Sequence, residues 1–229
     1  MLEPLYESTA DCPCCETTFP ITKVRPSFKT PISSDTDFCG HYNKGVNPDY
    51  YVIRVCPYCG FAFSENSFSK VLNEKQKQLY YSEIGKHWKK ESFLGERSPE
   101  TALNTFKRAL MVAQLLEVPD AVIAGYLHHI AWIYRTLNNK NEEYRFLNFA
   151  LERYIVVFEN GESTNKNARL MYLIGELNKR LGNFNDAVKW FSRVVNDKSI
   201  LDSAMIRASR EQWAEISELL AVERKKEGR

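Results

Sequence analysis

Two short stretches decide how this chain folds, Cys56-Pro57-Tyr58-Cys59-Gly60 and, upstream, Cys12-Pro13-Cys14-Cys15. Each supplies two thiols separated by two residues, the spacing with which one tight turn presents two sulfurs to one metal ion. Pro13 and Pro57 follow the first thiol of each pair and preset the turn. Gly60 follows the last thiol, where a residue with positive φ is often needed. Four thiolates in a tetrahedron suit Zn2+, and a site closed on all sides leaves no position for a substrate. The expected ligands are Cys12, Cys15, Cys56 and Cys59, with zinc as the cofactor. Iron in a rubredoxin-like knuckle is the alternative, because ligand type alone does not separate the two metals.

Working outward, Tyr50-Tyr51-Val52-Ile53-Arg54-Val55 is β-branched and aromatic and predicts a strand entering the second knuckle. Phe61-Ala62-Phe63 predicts its return, and residues 17–24 a strand leaving the first knuckle. A module of residues 1–66 has little core of its own and needs a staple, which the metal supplies. Cys14 lies between two ligands that already fix a turn and is a poor simultaneous ligand. Cys39 and His41, in Asp37-Phe38-Cys39-Gly40-His41, are weaker candidates for a metal or redox site, against a small buried residue beside a surface histidine. Residues 26–49 lack periodicity, so Asp35, Asp37, His41, Tyr42, Asn43 and Asn47 read as turn residues.

All six cysteines precede residue 60, and the chain opens without a positive region leading into an apolar run. That pattern predicts reduced, metal-bound thiols in a cytoplasmic protein and argues against disulfides. No apolar window is long enough to predict a membrane span. With 31 basic and 29 acidic residues the formal charge is only +2, unlike a dedicated nucleic-acid or membrane-surface binder.

Residues 67–97 read as a helical connector, helical from Asn66 to Trp88. Its Lys86-His87-Trp88-Lys89-Lys90 run is a solvated helix end in preference to a phosphate contact. At Ser98-Pro99-Glu100 a helix begins with an N-cap serine and proline at the first helical position. Residues 98–229 then carry apolar positions at three- and four-residue steps, interrupted at Pro119-Asp120, Asn160-Gly161 and Gly182-Asn183. A long last helix is expected from Ser199, fraying over residues 223–226. Residues 168–197 resemble a tetratricopeptide repeat through Ile174, Gly175, Leu181-Gly182, Phe184, Ala187 and Phe191. Ala102, Phe106 and Ala109 match the second helix of such a repeat. In a middle copy Glu143 takes the usual small-residue position. Phe106, Leu147 and Phe191 stand 41 and 44 residues apart, wider than the usual repeat of about 34.

The expected architecture is α+β and mostly α. A small zinc-ribbon or rubredoxin-like β-module (1–66) and the connector (67–97) precede an antiparallel tetratricopeptide-like helical array (98–229). The whole chain resembles a bacterial group of uncharacterised proteins, domain of unknown function family 2225. The resemblance rests on Cys12-Pro13-x-Cys15, Asp37-Phe38, Asn47-Pro48-x-Tyr50-Tyr51 and Val55-Cys56-Pro57-x-Cys59-Gly60, followed by the helices in the same order. It implies a metal-knuckle module joined to helical repeats and supplies no activity.

No catalytic constellation stands out; His128-His129 has no carboxylate or third ligand at a helpful spacing and reads as ordinary helix histidines. The leading expectation is a non-enzymatic zinc-binding adaptor that docks a protein or peptide on residues 98–229, with Tyr126, His128, His129, Arg135, Asn138 and Arg169 lining a concave surface. An alternative is RNA or DNA binding through Lys23, Arg25, Lys29, Lys44 and Arg54 with the rings of Phe28, Tyr42, Tyr50 and Tyr51. A third is redox chemistry at iron or at Cys14 and Cys39.

Overall fold

The computed structural model describes residues 2–42, 45–68, 70–161 and 167–227, with backbone alone over 223–227. Asn43, Lys44 and the side chains of residues 223–226, all named above, lie outside the described residues. The fold is α+β and mostly α, 56% helical with small antiparallel strand pairs near the N-terminus. No helix among the described residues is long and apolar enough to cross a membrane.

Strand β1 (Leu5–Asp11) pairs antiparallel with β2 (Thr18–Val24), Leu5 opposite Val24 and Asp11 opposite Thr18. Phe19, Ile21 and Val24 of β2 are buried, whereas β1 is half exposed along its length. That weak alternation is why β1 is not legible in the sequence. Residues 26–49, expected as plain loop, carry a one-turn 3-10 helix at Pro26–Phe28 and a second ladder, β3 (Ser33–Ser34) with β4 (Gly40–His41). A third pairs β5 (Arg54–Val55) with β6 (Ala62–Phe63).

The strand expected over residues 50–55 is reduced to its last two. Pro48 opens a 3-10 turn at Pro48–Tyr51, and the Asn47 side chain caps it by accepting from the Asp49 amide at 2.9 Å. The Arg97 guanidinium, itself buried, donates to the carbonyls of Tyr50 and Ile53 at 2.9 and 2.8 Å. A side chain has taken the acceptors that a neighbouring strand would use, so β propensity loses to local capping and a distant donor. Burial pushes Arg97 down to about 10.

The connector is likewise less helical than its composition predicts. Only α1 (Glu74–Glu83) forms, started by a reciprocal capping box between Asn73 and Gln76, with a 3-10 turn at Gly85–His87 behind it. Helices α2 (Pro99–Leu115), α3 (Asp120–Thr136), α4 (Lys140–Glu159), α5 (Ala168–Arg180), α6 (Phe184–Asn196) and α7 (Ser203–Glu227) follow. The last begins four residues later than expected, after Asp202 accepts from the Met205 amide. Helices α2, α3 and α5 end alike. Glu117, Asn138 and Gly182 take positive φ, and the next amide returns to a carbonyl five residues back.

Two compact units result, Met1–Phe146 and Leu147–Arg229, the division falling within α4. In the first, α2 packs against α3, β6 and the turn at Pro48–Tyr51. In the second, α5 packs against both α6 and α7. Gly175 makes the first of these contacts close, since a Cβ there would stand 2.7 Å from the Phe191 ring.

Candidate metal centre

The two cysteine turns have the same backbone design. In the first, the Cys12 amide donates to the Thr17 carbonyl at 3.1 Å and the Glu16 amide to the Cys12 carbonyl at 2.9 Å. In the second, Cys56 donates to Phe61 at 2.9 Å and Gly60 to Cys56 at 2.8 Å. The residue after each second cysteine is left-handed, Glu16 at φ 60° and Gly60 at φ 76°. Each turn closes the end of a hairpin, β1–β2 or β5–β6, so pairing of the strands fixes where the sulfurs point.

The four sulfurs of Cys12, Cys15, Cys56 and Cys59 lie within 4.8 Å of one another. Cys12 to Cys59 and Cys15 to Cys56 are each 3.6 Å apart. Ligands about 2.3 Å from a tetrahedral Zn2+ stand about 3.8 Å from each other, so the donor set fits one such ion. Cys12, Cys56 and Cys59 are buried and Cys15 half-buried. Phe19, Phe61, Leu72 and Tyr80 form the apolar wall around them. As free thiols the set holds its protons unevenly. Hydrogen bonding by Cys12 draws Cys56 down to about 2, and the same contacts push Cys12 and Cys59 up. A bound cation takes the place of those shared protons.

The connector seals the site. The Tyr80 hydroxyl donates to the Cys59 carbonyl at 2.8 Å, the Trp88 indole to Pro57 at 3.0 Å and the Leu72 amide to Pro13 at 2.9 Å. A Cβ on Gly60 would fall 2.4 Å from the Trp88 ring, so glycine is needed there for close approach as well as for φ. Trp88, with Arg108 over its ring at 5.0 Å, belongs to this seal and not to a free basic patch. Lys77 ties α1 to the first turn by donating to Glu16 at 2.8 Å. Cys14 is buried in the same apolar cluster.

The weaker candidates lie in a different constellation. Asp37, taken from the sequence as a turn residue, is fully buried. Its carboxylate accepts from Arg135 Nη2 at 2.7 Å and Nη1 at 3.1 Å and from Trp132 Nε1 at 3.1 Å, with His128 Nε2 at 3.4 Å. Arg135 also donates to Asp35 at 2.6 Å and to Glu143 at 2.6 Å. His41 bonds Asp35 at 2.7 Å, and buried Cys39 has its thiol pushed up to about 12 by burial. The Phe38 backbone sits at φ 71°, an unusual conformation for a bulky residue, which this network holds in place.

Glu143 is buried and its carboxylate answers the partly buried Arg135 guanidinium. The carboxylate that His128 lacked in the local sequence arrives from 91 residues away. Burial holds His128 below the ordinary histidine range, against the pull of Asp37. Burial opposes ionisation of Asp35, yet His41 and Arg135 outweigh it and keep the carboxyl below its usual range.

Tyr126 and His128 are interior, so they do not line a concave surface. The Tyr126 hydroxyl accepts from the Ser64 amide at 3.1 Å and donates to Ser64 Oγ at 2.8 Å. Arg135 is spent on its carboxylates, while Asn138 and Arg169 are exposed. Of the cations and rings named for nucleic acid, Lys23, Lys29, Tyr42, Tyr51 and Arg54 line one cavity of about 690 Å3. Tyr50 is buried, and Arg25 lies over the Tyr6 ring at 5.2 Å. Arg97 carries no local sequence signal, and the Asp37–Arg135 cluster only the Asp37-Phe38 pair on which the family resemblance rests.

Residues 5–216 match the model of a family described as "Uncharacterized protein conserved in bacteria (DUF2225)". Comparison with curated proteins and with solved structures gave no match.

Proposed function

The chain belongs to the DUF2225 family of uncharacterised bacterial proteins, and from that premise we propose that it is a non-enzymatic, zinc-stapled scaffold whose helices dock another protein. The observation that carries this reading is the closure of the four-sulfur set. Cys12, Cys15, Cys56 and Cys59 set four sulfurs within 4.8 Å of one another in an apolar shell, the donor number of structural and not catalytic zinc. The reading takes zinc as the usual ion of a closed four-thiolate site, and burial keeps the Cys39 thiol protonated.

Support for docking comes from Leu147–Arg229. There α5 and α6, 13 residues each, join at Gly182 and interlock through Gly175 and Phe191, in the manner of a tetratricopeptide hairpin. Helix α7 leaves Leu219 and Val222 at 43% and 50% exposure, apolar positions that a partner would cover.

Elemental analysis of freshly purified protein is expected to give one zinc per chain and a colourless solution; a ferric thiolate spectrum would replace zinc by iron. A photo-crosslinking residue at Leu219 or Val222 is expected to yield one defined protein adduct in cells. Its absence, with adducts instead at control positions on β1, would remove the docking reading and leave the metal reading intact.

A further inference from the structure

Two glycines interrupt long helices, and packing explains one of them. A Cβ at Gly175 would strike Phe191, whereas a Cβ at Gly125 of α3 would meet nothing within 4 Å. Glycine in a helix interior destabilises it relative to alanine, so one without a packing reason points to space kept open. Gly125 faces the cavity of about 690 Å3, a size typical of small-molecule sites. We propose that this cleft binds a phosphorylated nucleoside, either a free nucleotide or an unpaired nucleotide of an RNA strand. The proposal goes beyond the scaffold reading and does not depend on it.

Three features of the cleft carry the assignment. Its lining carries Lys23, Lys29 and Arg54 against Asp49 and Glu65; the Lys23 and Lys29 ammonium groups form no hydrogen bond or ion pair among the described residues, and both add to the field that Arg54 sets on exposed Glu65. Phosphate is the anion such a group of flexible cations meets most readily. Along α3, Ala121, Val122 and Gly125 make a low wall of small side chains ahead of Tyr126 and His129, with Tyr42 and Tyr51 also lining the cleft. A planar base fits such a wall, and a bulky branched ligand gains nothing from it.

Deeper in lies a polar pair. His129 Nδ1–H donates to the Gly125 carbonyl at 2.8 Å and its ring stacks on Phe106, which fixes the imidazole and aims Nε2 at Asp49. The gap from Nε2 to the Asp49 carboxylate is 3.9 Å, too long for a hydrogen bond. A base amino group can bridge the two, donating one hydrogen to Asp49 and the other to the Nε2 lone pair.

The test titrates the zinc-loaded full chain, at low ionic strength, with AMP, GMP, UMP, CMP, inorganic phosphate and a fluorescein-labelled mixed-sequence ribohexanucleotide. Gly125→Leu fills the cleft with a good helix former, and Lys23→Gln/Lys29→Gln removes the free cations at the surface. Each variant is expected to raise Kd at least about tenfold with thermal unfolding and zinc content unchanged or, for Gly125→Leu, unfolding shifted upward. Saturable binding of a mononucleotide identifies the free ligand, and binding of the hexanucleotide alone identifies RNA. Three results overturn the proposal: no binding of either by the wild-type chain at millimolar concentration, undiminished binding by both variants, or inorganic phosphate binding as tightly as the nucleotides.

Discussion

Residues up to Phe146 set strands of two and seven residues beside α1, α2 and α3, whereas the second unit rests on α5, α6 and α7, of 13, 13 and 25 residues. A long helix satisfies its own backbone and needs only an apolar stripe to find its neighbours. A two-residue ladder leaves most of its amides and carbonyls to be answered from elsewhere. In the first unit side chains answer them: Arg97 for Tyr50 and Ile53, Tyr80 for Cys59, Trp88 for Pro57. The contrast teaches that side chains and thiolates answer the backbone where ladders are short, whereas long helices answer their own.

Metal removal tests that contrast most severely. Structural zinc contributes an apparent 10–16 kcal/mol in small sites, comparable to or more than the whole stability of a typical domain. Chelation, or Cys56→Ser, is therefore expected to abolish hydrogen-exchange protection over residues 54–63 and 18–24 while α5 and α6 stay protected. Simultaneous loss of protection in α5 and α6 would show that the back half leans on the metal too.

Next in size is the pair between buried Asp37 and the partly buried Arg135 guanidinium. Asp37→Ala leaves Arg135 with Asp35 and Glu143 only, at an expected cost of about 3 kcal/mol in urea unfolding, the lower end for breaking a buried pair. A surface pair in the second unit is the control: Lys189→Met removes a pair with exposed Asp186 and is expected to cost less than about 1 kcal/mol. Equal costs would break the distinction between the halves.

What the sequence made legible follows the same line. The cysteine turns are local patterns, and α2 to α6 are periodic over many residues, so both could be read without partners. The Asp37 network could not, because Asp37 and Arg135 stand 98 residues apart and Asp37-Phe38-Cys39-Gly40 has the composition of an ordinary turn. Arg97 sits in no motif, yet it cancels a strand that Tyr50 to Val55 would otherwise prefer. Trp88 looked like part of a solvated basic run because its indole packs on a glycine 28 residues earlier. Long-range polar pairing is what one sequence hides.

The glycine that packs supplies a third measure. Gly175→Ala forces a methyl against Phe191, where overpacking costs about 1–3 kcal/mol. Thermal unfolding followed at 222 nm is expected to fall at the helical transition. An unchanged transition would mean that α5 and α6 are not held at the observed separation.

Acid separates the halves again, through His128. Its folded-state pKa lies below the ordinary histidine value because the ring is buried. The unfolded chain therefore binds the proton first as pH falls below about 6.5, and stability declines by up to about 1.4 kcal/mol per pH unit. Asp35, held low in the fold, adds a loss of the same sign below about pH 4. His128→Gln keeps a donor to Asp37 and is expected to flatten the slope between pH 7 and 5.5, as read by urea midpoints. A slope unchanged by that substitution would assign the acid sensitivity to thiolate protonation at the metal centre instead.

The smallest effect has the opposite sign. Gly125→Ala adds a methyl that meets nothing within 4 Å and removes the backbone freedom of glycine from the unfolded chain, so α3 is expected to gain about 0.5–1 kcal/mol. The same substitution at Gly175 destabilises, so the pair isolates packing from propensity within one molecule. A loss of stability at Gly125 would mean that the position is filled from a side the static structure does not display, and the cleft beside α3 would lose its claim to be open space.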